Sequence, residues 1–346
     1  MSPYIMFVLL SSLSLGTIIT LSSNHWLLAW IGLELNTLAI IPLMSKMHHP
    51  RATEATTKYF MIQSTASALL LFATTMNAWH TGEWTIINMQ ASTSTFMLTI
   101  ALMIKLAVAP FHLWLPDVIQ GLNLMTCLIL LTWQKLAPLA LLIQISPQTN
   151  STLIIFLGTL SLLIGGWGGL NQPHLRKIMT FSSISHLGWM IIVVSYSPSL
   201  MQLNLMVYLL MTFSLFLMMM TLKMTNMNKM SSSWMKNLPL FSTMTIILMS
   251  LGGLPPTSGF LPKWMILEEL VKQNMTPLAT LAIILTLLSL FFYLRLSYIT
   301  SLTTSPSPLN SKLMWRLKLN PNPIIPSMII LSVMLLPISP SIINLL

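Results

Sequence analysis

Glu34, Lys105, Lys135 and Lys263 are ionisable side chains that fall deep inside long apolar runs. On insertion scales each costs about 2.5–3.5 kcal/mol at the centre of a bilayer, and the four together about 10 kcal/mol, comparable to the net stability of a whole domain. Groups of that cost imply a use. Desolvation disfavours the charged form of a lysine, and a nearby carboxylate favours it again. A lysine whose acid approaches or retreats is therefore a switchable proton site, and further lysines at similar depth extend it through water. Two plainer readings stand beside this one. A lysine stem snorkels to the interface when it can, although Lys105 and Lys135 sit near the middle of their runs, beyond the reach of the stem. Glu34 could also neutralise Lys105 only to hold two helices together.

Prolines accompany the lysines. Pro110 follows Lys105, Pro138 follows Lys135, and Pro255, Pro256 and Pro262 precede Lys263. Proline removes a backbone donor and frees a carbonyl. At membrane depth, non-helical backbone is tolerated only inside protein or against a water-filled cavity. Lysine beside a helix break thus marks a hydrated pocket; a kink that serves packing alone is the alternative at each site. His112 falls just after the Pro110 break, where it either relays protons or makes a local hydrogen bond. Asp117, at the mouth of the same span, is either a simple helix-end charge or a proton-loading acid.

The elements that must position these groups are membrane helices. The chain has 346 residues, of which 55% are hydrophobic and only 6% charged, against about 25% charged in soluble domains. Apolar stretches of about 20 residues recur along the whole length, so the fold class is an all-α integral membrane protein. A β-barrel would show short alternating segments instead. The pattern predicts eleven transmembrane spans, at roughly 3–21, 26–44, 56–79, 93–115, 121–144, 151–170, 175–195, 200–222, 239–271, 277–300 and 324–344. The ninth is too long for one crossing and contains Gly252, Gly253, Pro255 and Pro256, so it reads as one broken helix. Cys127 is the single cysteine, which excludes an intrachain disulfide, a CxxC metal knuckle and a cysteine-held iron–sulfur cluster.

The net charge of +10 belongs to topology rather than to nucleic acid. Lys46, Arg51, Arg176, Lys177, Lys223, Lys229, Lys236, Lys312, Arg316 and Lys318 occupy the loops after spans 2, 6, 8 and 10, and Lys58 opens span 3 on that side; the opposite loops hold Lys272 and Glu83. The positive-inside rule then places the N-terminus on the matrix or cytoplasmic side and the C-terminus opposite. The first residues, MSPYIMFVLLSSLSLG, lack a basic signal start and an Arg-rich presequence pattern. They read as a retained helix of a chain made in its own compartment or inserted during synthesis.

VAPFHLWLPD (108–117) and LPPTSGFLPKW (254–264) share a proline break, an aromatic, Leu-Pro and a polar residue. They lie five spans apart, and an odd offset requires a repeat inserted upside down, as in ion and solute transporters. The expected organisation is a five-helix bundle over 1–150, an inverted five-helix bundle over 151–300, a loop over 301–323 and a C-terminal helix over 324–346. The second half has no acid matching Glu34.

KLAVAPFHLWLPD (105–117), LLTWQKLAPL (130–139), NQPHLRKIMTFSSISHLGWM (171–190) and GGLPPTSGFLPKW (252–264) together are specific. They resemble the antiporter-like subunits of respiratory complex I, over essentially the whole chain. The resemblance implies redox-driven proton pumping across the mitochondrial inner membrane. It implies a form lacking the first three of the family's usual fourteen helices. By the same motifs Glu34 and Lys105 are the acid–lysine pair of the first bundle, and Lys135 is the connecting lysine. Lys263 leads to the exit side, although not every relative has lysine there, and His186 lies on the central polar axis. NADH, FMN, iron–sulfur clusters and ubiquinone are implied for other subunits, with no cofactor in this chain. The implied partners are a neighbouring antiporter-like subunit, the small 4L-type subunit, accessory subunits and membrane lipid such as cardiolipin. A stand-alone cation/proton antiporter and a purely structural assembly subunit are the alternatives.

GGWGGL (165–170) lacks GxGxxG spacing and a preceding strand, and so reads as close helix packing rather than a nucleotide loop. His48 and His49 read as solvated loop residues, and the Met and aromatic stripes as lipid-facing or packing surface.

Overall fold

The computed structural model of the chain describes residues 2–46, 49–235, 237–301 and 323–343. His48, Lys236, Lys312, Arg316, Lys318 and nearly all of the expected 301–323 loop lie outside the described residues. Within them the chain is helical almost throughout and forms no strand; isolated bridges join His25 to Thr85 and His174 to Asn226. Two compact units divide the chain, Met1–Ser161 and Leu162–Leu346.

The first unit contains α1 (Pro3–Ser22), α2 (Trp26–Ser45), α3 (Pro50–Thr81), α4 (Ser92–Leu106), α5 (Trp114–Gly121), α6 (Leu124–Ile145) and the start of α7 (Ser151–Gly169). The second contains the rest of α7, then α8 (Leu175–Val194), α9 (Pro198–Leu222), the short α10 (Met227–Ser231), α11 (Leu238–Gly252), α12 (Phe260–Lys272), α13 (Thr276–Ser301), α14 (Ile324–Val333) and α15 (Leu335–Ile343). Among the described residues, eight helices are long and apolar enough to cross a membrane, and α4, α11 and α14 are shorter apolar helices. Each of those three is the first half of an interrupted segment, so eleven spans result, as expected.

Helix is the form in which apolar segments satisfy their own backbone in hydrocarbon. The hydroxyls inside the spans are satisfied the same way: Thr17, Thr74 and Thr99 each donate to a carbonyl three residues back, at 2.8 Å. Prolines at the first turn start α1, α3 and α9, where the missing N–H costs nothing. His49 is exposed, and it also has a structural use: its Nδ1 accepts the Arg51 amide at 3.2 Å, capping α3.

Three interruptions share one cause. A proline ring collides with the carbonyl four residues back and donates no hydrogen bond. α4 ends at Leu106, four before Pro110; α11 ends at Gly252, four before Pro256; α14 ends at Val333, four before Pro337. The last of these divides the C-terminal span, which the apolar pattern shows as continuous. Pro138 behaves differently. The expected break beside Lys135 is absent, and α6 runs through Pro138 from Leu124 to Ile145. Neighbouring helices compensate such a proline inside a bundle.

Small residues bring the helices together. In the first unit α1 packs on α2 through Gly16 and Gly32, and α3 packs against α2, α4 and α5. In the second unit α8 is buried along most of its length, among α9, α12 and α13. The glycines of GGWGGL serve as expected: Gly165 faces the Ser185 backbone, Gly168 the Phe181 ring, and Gly169 the Phe292 ring.

A Cβ at Gly32 would meet the Gly16 carbonyl oxygen at 2.8 Å and Thr20 Cγ2 at 2.6 Å. Gly32→Leu is therefore expected to push α1 from α2 and destabilise the first unit by about 1–3 kcal/mol, read as a lowered thermal midpoint of the assembled protein.

Candidate functional site

Lys105 stands in the last turn of α4. The chain leaves that helix through Ala107, held left-handed at φ 58°; the Ala107 and Val108 amides close the end on the Ile104 and Met103 carbonyls. Residues 107–113 then run without regular helix through a cis Ala109–Pro110 bond to α5. The span is thus not one helix over 93–115 with Lys105 at its middle. Lys105 sits at the C-terminal end of a half-helix, where the dipole and unpaired carbonyls favour a cation.

Lys105 is 7% exposed and Lys135, on α6, 5%. Both line one cavity of about 20 Å³, with Asn36, Thr37, Tyr59, Gln63 and Gln134 among its walls. A water needs roughly 10–15 Å³ measured this way and two or more polar partners. The Lys105 Nζ and Asn36 Oδ1 are buried with no hydrogen-bond partner among the described residues, so two such partners are on hand. Gln134 Nε2 donates to the Asn36 carbonyl at 3.3 Å, and Tyr59 packs edge-on against Trp114 with ring centroids 5.8 Å apart.

Glu34 is half-buried and does not line this cavity. Its Oε2 accepts a hydrogen bond from Thr37 Oγ1 at 3.0 Å. It forms no contact ion pair with Lys105; the salt bridges among the described residues are Lys58–Glu54, Lys58–Asp117 and Lys272–Glu268.

In the second unit Lys263 solves the same problem from the other side of a break. It lies in the first half of α12, and its Nζ donates to the Gly252 carbonyl at 2.8 Å and the Leu251 carbonyl at 3.5 Å. Those are the last carbonyls of α11. Gly253, at φ 81°, starts the break, and its amide bonds back to Met249 and Ser250. The two breaks, residues 107–113 and 253–259, have equal length and begin with the same left-handed turn. In each a lysine ammonium belongs to the C-terminal end of the first half-helix. Lys105 is part of that half-helix; Lys263 reaches back from the second.

The remaining candidates are scattered. His186 is buried on α8, its ring centroid 5.4 Å from that of Tyr208 on α9. His112 lies inside the first break rather than after it. Its Nδ1 is buried without a hydrogen bond among the described residues, and its carbonyl accepts the Leu115 amide at 3.0 Å. Asp117 is exposed in the first turn of α5, 3.5 Å from Lys58, which also holds Glu54 at 2.8 Å. Exposed pairs of this kind are worth about 0–1 kcal/mol. Among the described residues no group of three or more His, Cys, Asp or Glu side chains gathers to hold a metal. Asn36, Gln63 and Gln134 were missed in reading the sequence, although an amide inside an apolar span is itself a signal.

Buried lysines at interrupted helices within a multi-pass bundle define the class: an ion-translocating membrane protein built on discontinuous helices. Residues 23–289 match the family model described as NADH:quinone oxidoreductase/Mrp antiporter, TM, and residues 290–343 match NADH dehydrogenase subunit 2 C-terminus. The chain belongs to the NADH:quinone oxidoreductase/Mrp antiporter membrane family. It is 55% identical over 344 residues to NADH-ubiquinone oxidoreductase chain 2 of Squalus acanthias, covering 99% of both chains. To the chain 2 of Xenopus laevis it is 54% identical over 341 residues, covering 98% of this chain and 99% of the relative. In fold it is similar to a chain of respiratory complex I from Thermus thermophilus with bound aureothin, at TM-score 0.84 and 23% identity, covering 96% of this chain and 77% of that one. The Mrp complex of a Dietzia species gives TM-score 0.79 at 18% identity, covering 87% and 61%.

A Cβ on Gly253 would sit 2.7 Å from Lys263 Nζ, on a backbone that disfavours any side chain. Gly253→Ala is expected to drive the ammonium off the Gly252 carbonyl. The loss of that bond in a high-resolution map, with a lowered rate of ion translocation, checks it.

Proposed function

We propose that this chain is a proton-translocating membrane-arm subunit of an NADH:ubiquinone oxidoreductase in the mitochondrial inner membrane. The observation that carries the reading is the cavity shared by Lys105 and Lys135, walled by side-chain amides at the end of a half-helix. Full-length identity to NADH-ubiquinone oxidoreductase chain 2 supports the assignment to that complex. On this reading a proton from the positive side loads the Lys105–Lys135 pocket, and Glu34 sets the lysine's affinity by its charge rather than by contact. His186 and Lys263, in the second unit, take the later steps. Lys263 gains or loses its hold on the α11 carbonyls as its charge changes. His112 and Asp117 are assigned no step. The driving chemistry belongs to other subunits, which on this reading hold NADH, FMN, iron–sulfur clusters and ubiquinone. The neighbouring antiporter-like subunit, the small 4L-type subunit, accessory subunits and cardiolipin are the proposed surroundings. The basic loops support an N-terminus in the matrix and a C-terminus in the intermembrane space. Two five-helix repeats of opposite orientation, over 1–150 and 151–300, complete the proposal; their equal breaks support it.

The matching family model also covers Mrp antiporters, and the second reading is a cation/proton antiporter acting alone. Purified chain that exchanges Na⁺ or K⁺ for protons in liposomes without partners would establish that reading in place of the first. The purely structural reading needs a locking Glu34–Lys105 contact, and none is made.

Lys105→Met and Lys105→Arg separate charge from protonation, because arginine keeps its charge at all accessible pH. Both variants are expected to assemble, and both to cut the protons moved per electron in the intact complex. Wild-type stoichiometry and rate in Lys105→Arg would remove Lys105 from the relay.

A further inference from the structure

Arg295 stands on α13, six residues before its end, and its side chain is exposed. One of its five N–H donors is used: Nη1 donates to the Leu170 carbonyl at the end of α7, at 2.9 Å. The guanidinium lines a recess of about 330 Å³ with Asn171, Asn226 and Asn228. The His174 Nδ1 and Asn226 Oδ1 lie 2.8 Å apart, so the Asn226 oxygen is engaged and its NH₂ is left to donate. A guanidinium and amide donors in one recess form an oxyanion site.

No carboxylate of the second unit serves this site. Residues 162–346 carry eleven lysines and arginines against Glu268 and Glu269. Glu268 is paired with Lys272 at 2.9 Å, and Glu269 accepts from Gln273 at 3.1 Å. The helix below the guanidinium is apolar and uncovered in this chain. Ile284, Leu287, Phe291 and Tyr298 are 57–63% exposed and recur at helical spacing on the Arg295 face. Arg295 lies about 9 Å from the end of a 26-residue helix at about 1.5 Å per residue, within reach of headgroup level for a long stem that snorkels outward, with the apolar stripe along the acyl region.

We propose that this recess binds the phosphodiester of an anionic membrane phospholipid, with the acyl chains lying along the Ile284–Phe291 stripe of α13. The site needs only that the chain spans a bilayer, and it is independent of the proton relay.

The test uses the whole assembled complex in nanodiscs of phosphatidylcholine, with and without phosphatidylglycerol, in phosphate buffer. Electron cryomicroscopy is expected to show tailed density at Arg295 in the discs that contain phosphatidylglycerol. Asn228→Asp puts a negative charge at the recess without touching the Arg295–Leu170 bond. It is expected to lower retained phosphatidylglycerol, measured by mass spectrometry after detergent exchange, roughly tenfold. Three results overturn the proposal: tail-less density equal in both discs, which marks free phosphate; a neighbouring subunit's carboxylate seated in the recess; or unchanged retention in Asn228→Asp. Proton translocation is not the readout, so a failed relay leaves this result standing and a failed lipid site leaves the relay standing.

Discussion

The collision of a proline ring with the carbonyl four residues behind it organises this protein. It ends α4 at Leu106 and α11 at Gly252, and leaves backbone carbonyls without donors at membrane depth. Hydrocarbon offers those carbonyls nothing, so protein groups must answer them. A lysine ammonium is a fitting answer, because it carries three donors and meets the negative end of the helix dipole. At both breaks a lysine stands beside the interruption, and at the second its ammonium bonds the last carbonyls of the half-helix. Removing either leaves an uncompensated polar group where water is scarce.

The two breaks reach that state by different routes. Lys105 lies on the half-helix whose end it occupies, with its Nζ turned to the amide-walled cavity it shares with Lys135. Lys263 crosses its break to grip the Gly252 carbonyl, and Gly253 makes room for it. Equal backbone breaks therefore give a lysine two different settings, one on a polar cavity and one on backbone carbonyls.

Most of the span plan was legible because it rests on local rules. Twenty-residue apolar runs and a double-proline break each act within a few residues, and the spans stand where those signals lie. The exceptions are equally physical. Pro138 leaves α6 whole while Pro337 divides the last span, so a proline alone does not decide whether a helix stops. Lys105 sits at a helix end because α4 stops four residues before Pro110.

By itself the sequence determined that the chain is a helical membrane protein, that its costly charges are Glu34, Lys105, Lys135 and Lys263, and that prolines accompany all three lysines. Those properties follow from composition, period and the covalent geometry of proline. Tertiary structure alone decided which polar groups meet. It put Lys105 and Lys135 on one cavity, brought in Asn36 from α2 and Gln63 from α3 beside Gln134 of α6, and kept Glu34 out of contact. Residues thirty to a hundred positions apart meet only through helix packing, and the spacing along a single chain carries no record of it.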